Sequence, residues 1–155
     1  MQIRTGTARS GDLDIYYEDI GDSGDPAVLL IMGLGSQLTL WRDGFCQKLV
    51  DAGYRVIRYD NRDVGLSSKT EHHSTGQPIV VQMLRSWLGL RSRTAYTLED
   101  MADDAAAVVD HLNIEQAHIV GASMGGMIAQ VFAARFAERA KSLGILFSSN
   151  NSALL

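Results

Sequence analysis

The sequence is poor in features that mark secreted, zinc-binding or membrane-spanning proteins. Cys46 is its single cysteine, so the chain can form neither an internal disulfide nor a cysteine-based zinc site. No stretch approaches the roughly 18 consecutive apolar residues of a spanning helix. The first ten residues lack the apolar run of a secretory signal. These absences predict a cytoplasmic protein without a spanning membrane segment.

An excess of basic residues is also missing. Fourteen lysines and arginines stand against 18 aspartates and glutamates, which gives a formal net charge of -4. This balance offers no broad positive surface to a phosphate backbone, so no nucleic-acid partner is expected. The 155 residues, 46% of them hydrophobic and 21% charged, instead fit one globular domain with a sizeable core.

The order of patterns along the chain is typical of a parallel α/β sheet. Short apolar or β-rich runs predict strands over residues 13–19, 27–32, 54–59, 117–121 and 142–147. Helical spacing of apolar residues predicts helices over residues 40–52, 78–90, 97–112 and 123–137. Thr97 and Asp100 form a capping-box-like start for the third helix. The alternation predicts a mainly parallel sheet covered by helices on both faces.

The strongest chemical motif is GxSxG, spelled by Gly121, Ala122, Ser123, Met124 and Gly125. It follows a predicted strand and opens a predicted helix, which is the context of a nucleophile elbow. A strained tight turn would hold the serine hydroxyl above the sheet, and the flanking glycines would let strand and helix approach. The Met124 N–H, at the start of the helix, is then a candidate oxyanion donor. The competing interpretation of Ser123 is an ordinary helix N-cap.

Two further loops resemble those of α/β-hydrolases. The run Met32, Gly33, Leu34, Gly35 is similar to the His-Gly-x-Gly oxyanion loop of that superfamily, with Met32 in the histidine's place. Residues 60–67, DNRDVGLS, resemble its DxRxxGxS loop, which shapes the sheet edge near the site. The resemblance covers roughly residues 13–147. The sequences of the two loops are similar to those of bacterial esterases that include anthracycline methyl esterases. The resemblance implies that Ser123 is the nucleophile and that the Leu34 N–H is the second oxyanion donor.

The same resemblance implies hydrolysis of a small-molecule carboxylic ester through an acyl-enzyme on Ser123, without a cofactor. In this superfamily the catalytic acid and then the histidine follow the serine in the chain. Only about six of the family's eight strands are expected before Leu155, with the cap and the C-terminal strands absent. Activity is therefore expected to be weak or incomplete. The alternative is a non-catalytic module that keeps the fold and self-associates, or binds a partner, through the open sheet edge after Leu146 and Phe147.

None of the four histidines is a good candidate for the missing base. His118 precedes Ser123 by five residues on one predicted strand, which places it roughly 16 Å away. His111 is expected at a helix end. His72 and His73 fall on a polar loop, where adjacent histidines beside Glu71 do not define a metal site, and no metal is expected.

Three other patterns have weaker functional interpretations. Residues 21–24, GDSG, resemble the serine environment of trypsin-like proteases, but no histidine precedes them and a hairpin turn is expected. The GxG at Gly33 and Gly35 has Leu38 where a dinucleotide fingerprint needs its third glycine. The apolar stripe over residues 83–90, with its neighbouring arginines, favours core packing over contact with a membrane or an apolar substrate.

Overall fold

A computed structural model describes residues 2–70 and 96–149. Its strands are β1 (Ile3–Ser10), β2 (Leu13–Ile20), β3 (Ala27–Ile31), β4 (Arg55–Tyr59), β5 (Ala117–Ala122) and β6 (Ala140–Leu146). Its α-helices are α1 (Asp43–Asp51), α2 (Leu98–His111) and α3 (Met124–Arg135), with short 3₁₀ turns at Leu38–Leu40 and Ala137–Arg139. The helix predicted over residues 78–90 lies outside the described residues.

The six described strands form one sheet in the order β1-β2-β4-β3-β5-β6. Strands β4, β3, β5 and β6 are parallel, whereas β1 and β2 add an antiparallel edge. Every residue of β3 is buried, which explains why its sequence, AVLLI, is a continuous rather than an alternating apolar run. The predicted α/β fold with a mainly parallel sheet is confirmed.

Helices cover both faces of the sheet, as predicted. Because side chains alternate across a strand, Val28 and Leu30 of β3 pack with Trp41 and Cys46 beneath α1, while Leu29 faces the other core. That second core is formed by α2, α3 and the strands, including Met101, Ala105, Ile128 and Phe132. Within the described ranges no helix is long and apolar enough to cross a membrane.

The predicted capping box at the start of α2 is present in the structure. The Asp100 N–H donates to Thr97 Oγ1 at 3.2 Å, and the Thr97 N–H donates to Asp100 Oδ2 at 2.7 Å. These reciprocal bonds satisfy backbone donors that a helix start otherwise leaves without partners. Thr97 and Asp100 therefore fix where α2 begins, even though aspartate replaces the usual glutamate.

The structure differs from the sequence expectations at the antiparallel edge. Strand β1 was not predicted, because IRTGTARS alternates small and polar residues and buries only Ala8 fully. The hairpin joins β1 to β2 around Gly11, which has a φ of 56°. The prediction of a hairpin at residues 21–24 is wrong. That segment is a turn, but β2 pairs with β4, so the turn carries the chain across the sheet to β3.

A buried carboxylate joins three strands at this edge. Asp19 on β2 accepts from Arg55 on β4 at 2.9 and 3.0 Å, and from Arg4 on β1 at 3.0 Å. Asp19 is 4% exposed and Arg55 is 8% exposed. Burial alone would raise the pKa of Asp19, but the two guanidinium groups outweigh it and lower the pKa below its usual value.

We expect Asp19→Asn to lower the free energy of unfolding by about 3–5 kcal/mol, because Arg55 would be left buried without its partner charge. The pKa of Asp19 is lower in the folded chain than in the unfolded chain. Its contribution is therefore complete above about pH 4 and is lost as pH falls through the folded pKa. Urea denaturation from pH 7 down to pH 3 should show the difference between wild type and variant shrinking below about pH 4. A difference that stays constant over that range would contradict this.

Candidate active site

The turn between β5 and α3 consists of a single residue, Ser123, in a strained conformation. Its φ of 55° and ψ of -126° lie in a region that costs a residue with a side chain on the order of 1–3 kcal/mol. The Ser123 N–H donates to the Leu146 carbonyl at 2.9 Å, and the Ser123 carbonyl accepts from the Gly126 N–H at 2.9 Å. The serine backbone is thus fixed on both sides, which holds the strain in place.

The Ser123 side chain is exposed and does not cap the helix. Ser123 occupies the N-cap position of α3, but its hydroxyl accepts no hydrogen bond from the first turn. An ordinary serine cap would accept from the N–H two or three residues further on. The structure therefore does not support the N-cap interpretation, and the hydroxyl is left available for chemistry.

Close contacts between backbone segments require glycine at residues 121 and 125. A Cβ on Gly121 would lie 2.1 Å from the Gly125 carbonyl oxygen. A Cβ on Gly125 would lie 2.2 Å from the Ile31 carbonyl oxygen. Strands β3 and β5 and the start of α3 consequently meet at a distance that no side chain permits.

The loop after β3 lies directly against the serine. A Cβ on Gly33 would be 3.0 Å from Ser123 Cβ and 3.4 Å from Ser123 Oγ. The loop then turns, with the Ser36 N–H donating to the Gly33 carbonyl at 3.3 Å and Gly35 at a φ of 62°. We call residues 32–38 the oxyanion loop from here on, after the role that the sequence predicts for it.

The predicted oxyanion donors lie in backbone positions suited to that role. Met124 is the first residue of α3, where N–H groups have no acceptor within the helix. The Gly33 carbonyl is used by Ser36, and in a trans peptide the Leu34 N–H points the opposite way. The structure thus brings Ser123, Met124 and the glycines at 33, 121 and 125 together. The catalytic roles of Ser123, Leu34 and Met124 stay predictions.

The DNRDVGLS segment after β4 binds the oxyanion loop. Asp60 accepts from the Leu38 N–H at 2.8 Å and from the Leu66 N–H at 2.9 Å. Asn61 Nδ2 donates to the Met32 carbonyl at 2.8 Å. The sequence motif marked this segment, but it gave no indication that Asp60 and Asn61 contact the loop. Those contacts span 22 and 29 residues and depend on β3 and β4 being neighbours.

Arg62 connects the same segment to α2. Its guanidinium donates to both oxygens of Asp104, at 2.6 and 2.8 Å, and lies 5.2 Å from the ring centroid of Tyr96. Burial, with Asp63 nearby and accepting its hydrogen bond, raises the pKa of Tyr96 to about 12. Tyr96 is therefore protonated at neutral pH and can act there as a hydrogen-bond donor but not as a base.

The two histidines in the described ranges have partners away from Ser123. His118 Nδ1 lies 2.7 Å from Ser142 Oγ, and its ring meets Tyr54 edge-on at 5.7 Å. The His111 ring lies 5.6 Å from that of Tyr17, at the end of α2. Residues 71–73 lie outside the described residues. Among the residues that are described, no group of three or more histidine, cysteine or acidic side chains could hold a metal ion.

A polar cavity of about 310 Å³ lies at the opposite end of the parallel strands. Its lining comes from the segments that precede β3 and β5, residues 23–27 and 113–116, together with Arg55 and Lys141 at the starts of β4 and β6. Ligands of open α/β sheets bind outside the carboxyl ends of the strands, where Ser123 lies. We therefore place the candidate active site at Ser123 rather than at this cavity.

Comparisons with known proteins agree with the α/β architecture of the chain. Residues 26–153 match a family model described as the alpha/beta hydrolase fold. Rhodomycin D methylesterase DnrP of Streptomyces peucetius is 33% identical over 135 residues, which cover 87% of this chain and 39% of that protein. The putative carbamate hydrolase RutD of Azorhizobium caulinodans is 33% identical over 139 residues, 90% of this chain and 43% of that protein.

Among solved structures, the proline iminopeptidase-related protein of Thermus thermophilus has a TM-score of 0.75 at 21% identity. The match covers 96% of this chain and 45% of that one, and at this identity it shows a shared fold alone. The chain spans about 40% of the length of the curated relatives that it matches, DnrP at 39% and RutD at 43%.

We expect Gly125→Ala to destabilise the protein by about 1–3 kcal/mol or more, because the new methyl group would meet the Ile31 carbonyl. Gly44→Ala is the matched control. Gly44 lies in α1, where a Cβ has open space, so alanine should be neutral or stabilising by about 0.5–1 kcal/mol. Denaturant unfolding of both variants measures the difference. Equal stabilities would show that the elbow tolerates a side chain at residue 125.

Proposed function

Because the chain belongs to the α/β-hydrolase family, we propose that it acts as a serine hydrolase on small-molecule carboxylic esters, with Ser123 as the nucleophile. The observation that carries the proposal is the conformation of Ser123. Ser123 is strained at a φ of 55°, is exposed, and does not cap the helix. Its hydroxyl therefore does not help to hold the fold together. Such strain is characteristic of functional sites.

In the proposed reaction, Ser123 Oγ attacks the acyl carbon of the ester and forms a new C–O bond. The carbonyl oxygen becomes an oxyanion, which the Leu34 and Met124 N–H groups stabilise. Collapse of this intermediate breaks the bond to the alcohol, which leaves with a proton, and water then hydrolyses the acyl-enzyme. Two relatives are named a methylesterase and a putative carbamate hydrolase, and hydrolysis of esters and of carbamates alike is a reaction at a carbonyl carbon, which supports this class of reaction.

The proton of Ser123 needs an acceptor that the described residues do not place beside it. His111 and His118 contact other groups, and a serine hydroxyl without a base is a poor nucleophile at neutral pH. An oxyanion hole and substrate binding alone can still accelerate a reaction by about 10³ to 10⁴ over water. We therefore propose that the chain has weak esterase activity.

A fluorophosphonate probe tests the identity of the nucleophile. We expect covalent labelling of the folded protein at Ser123, detected by mass spectrometry, and its complete loss in Ser123→Ala. The matched control is Ser142→Ala, which removes another serine whose hydroxyl bonds His118 and should leave labelling unchanged. Absence of labelling in the folded wild-type chain, or labelling that persists in Ser123→Ala, would contradict the proposal.

A second candidate function is that of an interaction module, and the exposure of β6 favours it. Strand β6 lies at the edge of the described sheet. Its apolar side chains Leu143, Ile145 and Leu146 are 41%, 42% and 37% exposed, and Phe147, directly after the strand, is 93% exposed. An exposed apolar edge strand is a template for pairing with another strand.

We propose that this edge pairs with β6 of a second copy of the chain. An antiparallel pair centred on Leu143 would set Lys141 of each strand opposite residue 145 of the other. The two ammonium groups would then lie at opposite ends of the pair, without like charges facing each other. A partner protein that supplies a strand is the alternative occupant.

We expect concentration-dependent dimers in analytical ultracentrifugation. Leu143→Lys should reduce dimer formation, because it places a charge on the apolar edge. Leu66→Lys is the control, since Leu66 is 70% exposed on the loop after β4 and should leave association unchanged. A strictly monomeric, folded wild-type chain at high concentration would exclude self-pairing and leave a partner protein to be sought.

A further inference from the structure

The oxyanion loop is held at its two ends by two consecutive residues. Asn61 Nδ2 donates to the Met32 carbonyl at the beginning of the loop, and Asp60 Oδ1 accepts from the Leu38 N–H at its end. Between these contacts the loop has internal bonds from Ser36, whose N–H and hydroxyl donate to carbonyls of the loop itself. The orientation of its central peptides therefore depends on how the two ends are fixed.

The buried Asn61 amide has a hydrogen-bond partner at one end and none at the other among the described residues. Its side chain is buried, with 1% of the residue exposed. Nδ2 has the Met32 carbonyl as its acceptor, whereas Oδ1 has no hydrogen-bond partner within the described part of the chain. A buried polar atom without a partner costs about 1–3 kcal/mol, and an apolar side chain of similar size would avoid that cost. The hydrogen bond that the amide does make is directed at the start of the oxyanion loop.

The Met32 carbonyl lies where the loop meets the elbow. It would be 2.8 Å from a Cβ on Gly125, so it packs against the first turn of α3. The next residue, Gly33, is the one whose backbone lies against Ser123. Fixing the Met32 carbonyl thus sets the plane of the peptide that leads into Gly33, and the following peptide carries the Leu34 N–H.

We infer that Asn61 is a positioning residue for the oxyanion hole. Its Nδ2 holds the Met32 carbonyl, and through this peptide it directs the Leu34 N–H towards the oxygen of an ester bound at Ser123. The catalytic consequence of this inference rests on the proposed function. The contact between Asn61 and the Met32 carbonyl does not depend on it. Without Nδ2 the loop keeps its anchor at Leu38 and loses the one at Met32, so the Leu34 N–H samples more orientations.

This role predicts a specific pattern in Asn61→Leu. Transition-state stabilisation should fall, because a donor that must reorient contributes less than a fixed one. The rate constant of fluorophosphonate inactivation should decrease about 10- to 100-fold, below the roughly 10²- to 10³-fold loss on removing an oxyanion donor outright. The inhibitor concentration at half-maximal rate should stay unchanged. The denaturation midpoint should change little, because removal of the unpartnered Oδ1 offsets the loss of the donor to the Met32 carbonyl.

The matched control is Gln116→Leu. Gln116 Nε2 also donates to a backbone carbonyl at 2.8 Å, that of Glu138, but in the segment before β5, away from Ser123. Its replacement should change neither the rate constant nor the exchange of amides in the oxyanion loop. A loss of reactivity in Gln116→Leu as large as in Asn61→Leu would overturn the inference.

Amide hydrogen exchange gives a readout that does not depend on reactivity. Exchange at residues 33–36 should be faster in Asn61→Leu than in wild type, while exchange in β3 and β5 stays unchanged. If wild type is not labelled by the probe, the proposed function fails, and exchange alone still decides whether Asn61 positions the loop. Unchanged exchange in the oxyanion loop, or a labelling rate within about twofold of wild type, would overturn the inference.

Asn61→Asp keeps the experiment decisive if Asn61→Leu does not fold. A carboxylate facing the Met32 carbonyl repels it, whereas the protonated acid can donate its O–H to the same oxygen. The labelling rate of Asn61→Asp, divided by that of wild type at each pH, should therefore rise as pH falls. A ratio that is independent of pH would contradict a donor role for residue 61.

Discussion

The close approach of three backbone segments around Ser123 is the constraint on which the rest of the structure depends. The end of β3, the end of β5 and the start of α3 meet where Gly121 and Gly125 leave no room for a Cβ. This contact forces Ser123 to a positive φ and turns its side chain away from the helix. It also places the backbone of Gly33 against the serine. The position of the Ser123 hydroxyl therefore follows from packing of the main chain rather than from a cluster of polar side chains.

The segment after β4 supports this arrangement from the side. Asp60 and Asn61 hold the oxyanion loop, and Arg62 pairs with Asp104 of α2. Three successive residues thus connect β4 to two neighbouring parts of the fold. Gly65 lets the segment fold back, because a Cβ there would lie 2.0 Å from an Asp60 carboxylate oxygen. The motif is a framework that fixes a loop, and in the proposed reaction none of its members has to touch the substrate.

The antiparallel edge and the β6 edge of the sheet differ in how they are completed. At the first, Asp19 is enclosed by Arg4 and Arg55, and β1 covers β2 with a strand of small and polar residues. At the second, β6 presents accessible apolar side chains. The first edge presents small and polar residues to solvent, whereas the second presents apolar ones. The exposure of β6 is why association is proposed beside hydrolysis, which rests on Ser123.

The features that could be predicted from the sequence are local ones. Apolar runs located the buried strands, the capping box marked the start of α2, and GxSxG between a strand and a helix located the elbow at Ser123. Strand β1 escaped prediction because its small and polar residues have no apolar alternation. The fold alone placed β4 between β2 and β3, which removed the expected hairpin at residues 21–24 and brought Asn61 to Met32, 29 positions away. Such contacts follow from strand order and register, which the hydrophobic pattern of each strand does not specify. The candidate nucleophile could therefore be found in the sequence, whereas the residues that fix the loop beside it could be found only in the fold.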